Sequence, residues 1–152
     1  MLDINSLLLP FIHLLAGICF IGLHIGIRAN AIFYFCENEN ALIKTLNILR
    51  RQIYTFFILM IIMALSTIYA IIDNGTNPMF NTLASTQWSL YVFLTINLSY
   101  IYYQYTLCVA AKENKLLICN EKIALIIYYF IPLNILISLI GVLFALIIST
   151  II

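Results

Sequence analysis

The charged residues of this chain are confined to a few places, and four long apolar runs fill the space between them. The runs extend from about Ser6 to Ile27, Gln52 to Ile72, Trp88 to Ala111 and Ile123 to Ile148. Each is long enough to cross a hydrocarbon core of about 30 Å at about 1.5 Å per residue. In that solvent a segment must satisfy its own backbone N–H and C=O groups, so runs of this kind fold as helices. With 64% hydrophobic and only 9% charged residues, the chain has too little polar side chain to cover a water-soluble fold, where about 25% charge is usual. The expected fold class is all-α. It is a polytopic membrane protein, a single domain over residues 1–152 built as a four-helix transmembrane bundle in the lipid bilayer. A net charge of +1 leaves no dense cationic face, which excludes nucleic acid as a partner.

The positions of the charges set a direction. Lys and Arg occur only between the first and second runs (Arg28, Lys44, Arg50, Arg51) and between the third and fourth (Lys112, Lys115, Lys122). The positive-inside rule then puts both termini and the connection from Asp73 to Gln87 outside, and both basic connections in the cytoplasm. The expected location is the inner (plasma) membrane of a bacterium. The opening MLDINS has no basic n-region and the first run is too long for an h-region, so that run reads as a retained span. Cys19, Cys36, Cys108 and Cys119 form no CxxC pair, and neither a disulfide framework nor a zinc site is expected.

The connections carry structure of their own. Ala41, Leu42, Leu46 and Leu49 recur at helical spacing, so the second helix is expected to start near residue 40 and run unbroken to about Ile72. The first should extend to Phe35, with a short turn at ENEN. The stretch DNGTNPMFNTLASTQ reads as a turn-rich loop, because Asn74-Gly75 and Asn77-Pro78 both break helices. Asn74-Gly75-Thr76 also matches a glycosylation sequon. Pro132 interrupts the fourth run, as a kink or as a broken backbone lining a cavity, with Asn134 placed to satisfy freed polar groups.

Both histidines lie on the first helix. Eleven residues separate His13 from His24, so they point the same way to within about 20° and stand about 16 Å apart. Gly17 and Phe20 share their face, and Arg28 ends it. Cys19, Gly22 and Gly26 lie opposite, and the last two form a GxxxG pair suited to close helix packing. Histidine in a span faces an interior or a cofactor. His13 therefore reads as a ligand or as a hydrogen-bonded structural group, and His24, nearer the inner interface, as structural. A bis-histidine haem would need a histidine from another helix, and the chain has none left. The third run is polar on two sides: Thr95, Ser99, Tyr102 and Thr106 on one, Asn97, Tyr100, Gln104 and Cys108 on the other. It is expected inside the bundle or against a partner. Met60 and Met63 read as packing residues. All six acidic residues lie outside the cores of the runs, so no intramembrane carboxylate relay is expected.

These features resemble the HemJ-like family of membrane protoporphyrinogen oxidases. His13, Ala16, Phe20, Gly22 and Arg28 are similar to the family's first-span pattern of histidine, small residue, aromatic, glycine and arginine. Arg50-Arg51 resembles its basic pair before the second span, and Trp88 the tryptophan that opens its third. The family's lysine early in the third span has Tyr91 or Val92 in its place, and Leu49 stands where its acidic residue precedes the arginine pair. The resemblance implies haem b, with His13 as the axial ligand to the metal and Arg28, Arg50 and Arg51 beside the propionates. The CopD-like family is similar in outline and implies copper handling by His13, Met60 and Met63. The rival expectation needs no cofactor: a non-enzymatic structural or assembly subunit of a larger membrane complex, or a homo-oligomer, using the Gly22/Gly26 face and the polar third helix.

Overall fold

A computed structural model describes residues 4–35, 40–74, 77–111 and 116–151. The described chain is helical throughout except at Asn77. Helix α1 spans Ile4–Phe35, α2 Asn40–Asn74 and α3 Pro78–Ala111. Helix α4, Leu116–Leu125, runs through a π turn at Ile126–Phe130 into α5, Ile131–Ile151. The expected limits of the first two helices at Phe35 and near residue 40 agree with the structure. The ENEN turn and the Gly75-Thr76 part of the sequon lie outside the described residues.

Antiparallel packing brings the helices together as a four-cornered bundle. Side chains pair His13 with Ser66 and His24 with Phe56 between α1 and α2. They pair Thr67 with Tyr91 between α2 and α3, and Asn97 with Asn134 between α3 and α5. Asn134 also reaches His24, which closes the ring from α5 to α1. Phe20, Ile53, Leu98, Ile126 and Ile131 fill the core, while Ile18, Ile61, Leu65, Ile96 and Leu143 look outward. An apolar exterior is what lipid demands, because hydrocarbon gives no reason to hide leucine. Three segments, Pro10–Ile32, Asn47–Ile72 and Glu121–Ile148, are long and apolar enough to cross a membrane. Helix α3 is not among them. It matches the others in length, but it turns Gln87, Asn97 and Gln104 into the bundle.

Three expectations need correction. The stretch from Asp73 to Gln87 is not a loop, since α3 begins at Pro78. Asn77 Oδ1 accepts the backbone N–H groups of Met79 at 3.0 Å and Phe80 at 3.4 Å, and Pro78 takes the first helical position, where its missing N–H costs nothing. Asn-Pro here starts a helix rather than breaking one. The fourth helix begins at Leu116, seven residues ahead of its apolar run. Pro132 neither breaks nor opens the backbone: the π turn just before it absorbs the lost hydrogen bond, with the Ile131 N–H reaching back to the Ile126 carbonyl. The Asn134 side chain is therefore free of that duty and bonds to other helices. Finally, only one polar side of α3 is inside. Asn97, Gln104 and Cys108 are buried, whereas Thr95, Ser99 and Tyr102 face out.

Glycine divides α1 into two faces as its spacing implies, but with different neighbours from those expected. A Cβ at Gly17 would lie 3.1 Å from Val142 Cγ2 and 3.8 Å from Met63 Sδ, so this is where α1 and α5 approach closely. At Gly22 and Gly26 a Cβ would meet nothing within 4 Å. Within this chain the GxxxG face packs against no described residue.

Candidate functional site

Two polar layers occupy the inside of the bundle, each centred on one histidine. In the first, His13 Nδ1 lies 2.6 Å from Ser66 Oγ. Ser66 Oγ already donates its single proton to the Met63 carbonyl at 2.8 Å. It can only accept from the ring, so Nδ1 carries the hydrogen and Nε2 the lone pair. That lone pair faces two donors at once, Gln87 Nε2 at 2.7 Å and Tyr91 Oη at 2.9 Å. Gln87 Nε2 also donates to Tyr91 Oη at 2.7 Å. Thr67 stands behind Tyr91 at 3.3 Å and gives its own proton to the Met63 carbonyl. The hydrogens can be shared out in two ways: Gln87 serves Nε2 and Tyr91 Oη while Tyr91 donates to Thr67 Oγ1, or Tyr91 donates to Nε2 itself.

The second layer is balanced. His24 Nδ1 donates to the Phe20 carbonyl at 2.9 Å, which fixes the same tautomer, because a carbonyl can only accept. His24 Nε2 accepts from Asn134 Nδ2 at 3.2 Å, and Asn134 Oδ1 accepts from Asn97 Nδ2 at 2.7 Å. The ring stacks on Phe56 with centroids 3.9 Å apart and 23° between planes. His24 and Asn134 have no exposed surface at all. Every hydrogen bond runs in one direction from α3 through α5 to α1. This is the structural role expected for His24, deeper in the bundle than an interfacial residue would lie.

Two cavities adjoin the first layer. A cavity of about 40 Å³ lies against His13, Ser66, Thr67 and Gln87, and a second of about 20 Å³ against His13, Gln87, Tyr91 and Ser138.

The implied haem can be tested against these residues, and they do not fit it as arranged. Both ring nitrogens of His13 hold protein partners. The helix surface at Gly17, one turn from His13, is covered by Val142 and Met63. The two cavities admit a few water molecules, not a macrocycle. Arg28 lies fifteen residues along α1, about 22 Å from His13, farther than a propionate can reach. Its Nε is buried without a hydrogen-bond partner, as are Gln52 Oε1 and Gln104 Oε1. Arg50 and Arg51 are exposed. The arginines and His13 are thus not brought into one site. For copper, Met63 does share the smaller cavity with His13, while Met60 packs in the core. Among the described residues no group of three His, Cys, Asp or Glu side chains comes together.

Nothing in the sequence marks Ser66, Gln87 and Tyr91 as the partners of His13. Gln87 was hidden in a segment taken for a loop, and Ser66 was one hydroxyl among many. Comparisons with protein-family models, with curated proteins and with solved structures find no match.

Proposed function

We propose that the chain is a four-span integral membrane protein acting as a non-enzymatic structural or assembly subunit, with α1 as the helix that meets its partner. Three helices have the length and composition of spans. Helix α3 serves as the fourth: at 34 residues it is about 51 Å long, and it buries its carboxamides inside the bundle. The packing supports one polarity for the whole. Arg28, Arg50, Arg51 and Lys122 fall at the same end of the bundle, the start of α1 and the end of α5 at the other. The basic end faces the cytoplasm of a bacterial cell.

The observation that carries the assembly reading is the unfilled face of α1. Gly22 and Gly26 lower the helix surface as a close helix–helix contact requires, yet no described residue of this chain approaches them. Cys19, exposed on the same side, reports on that face. Oxidative or bis-maleimide cross-linking through Cys19 in native membranes should capture an adduct, with itself or with another membrane protein, and Gly22→Leu or Gly26→Leu should abolish it. Unaltered cross-linking in both variants, or none in the parent protein, would turn this face back to lipid.

The HemJ-like reading rests on the sequence resemblance around His13 alone. It requires α1 and α5 to part at Gly17 and Val142, where they are in contact. A visible absorption spectrum of the haem-replete protein separates the two readings.

A further inference from the structure

The larger cavity differs from an ordinary packing defect in its floor and in its position. All four corners of the bundle contribute to it. Pro10 and His13 come from α1, Ser66 and Ala70 from α2, Ala84 and Gln87 from α3, and Ala145 and Ile148 from α5. It therefore lies on the bundle axis, extending from the His13 layer toward the end where α1 starts and α5 finishes, where it meets the buried side chains of Phe80 and Ile148. Alanines on three helices leave the space open, and the polar groups gather at its inner limit.

Cavities lined only by hydrocarbon stay dry, whereas water needs two to four polar partners and about 10–15 Å³ of room for its centre. Here His13, Ser66, Thr67 and Gln87 supply the partners, and about 40 Å³ accommodates roughly three molecules. Water there also gives Ser66, Thr67 and Gln87 a further hydrogen-bond partner beside the ones they have. The smaller cavity continues inward past His13 and Gln87 and ends against Phe20 and Leu94, which are 0% and 2% exposed. His24 lies beyond that barrier.

We propose that the axial cavity is hydrated and puts His13 in proton exchange with its water, and that Phe20 keeps that water from His24. The step balances without any other reactant. Cavity water replaces the Ser66 hydroxyl proton, and Ser66 then trades protons with His13 Nδ1, so the ring keeps its tautomer and its charge. The titratable groups facing His13 are few. Among the described residues packed against it, α1, α2 and α5 present none, and α3 presents Tyr91.

The test uses the full chain, labelled with ¹⁵N-histidine in phospholipid vesicles. Magic-angle-spinning NMR with transfer from water should give a cross-peak to the His13 ring nitrogens and none to those of His24. After exchange into D₂O, the His13 Nδ1 signal should be lost at least a hundredfold faster than that of His24. Ala84→Leu fills the cavity and should remove the water contact at His13 while leaving His24 unchanged. Ala145→Leu does the same from the opposite wall, should the Ala84 variant fail to fold. A dry His13 in the parent protein, equal exchange at the two histidines, or water contact surviving in folded cavity-filled variants would each overturn the proposal. The outcome is independent of the assembly reading, because neither variant touches the Gly22/Gly26 face.

Discussion

The two histidines of α1 share a face, a tautomer and a carboxamide neighbour, yet their surroundings differ in kind. Around His24, each donor meets one acceptor, an aromatic ring covers the imidazole, and no exposed surface remains. Around His13, two donors converge on one lone pair beside a cavity. The first arrangement fixes three helices relative to one another. The second leaves a hydrogen-bonding group with more than one way to be satisfied. An intramembrane imidazole thus acts as structure when its hydrogen bonds have one arrangement, and becomes a candidate for function when they have alternatives and space beside them.

The comparison can be broken at its strongest point first. Asn134→Ala removes both interhelical bonds of the His24 layer and leaves Asn97 Nδ2 and His24 Nε2 unpaired in a place water does not reach. A loss of about 2–3 kcal/mol in unfolding free energy is expected, since membrane hydrogen bonds contribute about 0.6–2 kcal/mol each and orphaned groups add to that. Reversible unfolding in mixed detergent micelles measures it. A loss under about 0.5 kcal/mol would mean that the layer is not the clamp described.

The His13 layer should respond much less. Tyr91→Phe deletes one of the two donors to Nε2, and Gln87 stands ready to serve alone at 2.7 Å. The same unfolding assay should show a change of about 0.5 kcal/mol or less. A cost as large as that of Asn134→Ala would show that Tyr91 is indispensable and that the layer is as closely balanced as its neighbour.

Part of this contrast was legible in the sequence. The 3.6-residue period alone put His13, Gly17, Phe20 and His24 on one face, and apolar spacing from Ala41 onward placed the start of α2. The partners were not legible, because they depend on helix register. Nothing local in Ser66 marks it as level with His13. Asn134 reads as a remedy for Pro132 until the π turn makes that remedy unnecessary. Gln87 was obscured by Asn77-Pro78, a pair that ends helices in one register and begins them in another. The unpacked Gly22/Gly26 face was visible as a motif, but a motif does not say whether its partner belongs to the same chain.

The most direct measurement sets His13→Ala beside His24→Ala, each expressed with ample haem, and reads both unfolding midpoint and visible spectrum. The account predicts a colourless parent protein, a large fall in midpoint for His24→Ala and a small one for His13→Ala. A Soret band in the parent that vanishes in His13→Ala, or a midpoint that falls further for His13→Ala than for His24→Ala, would contradict it.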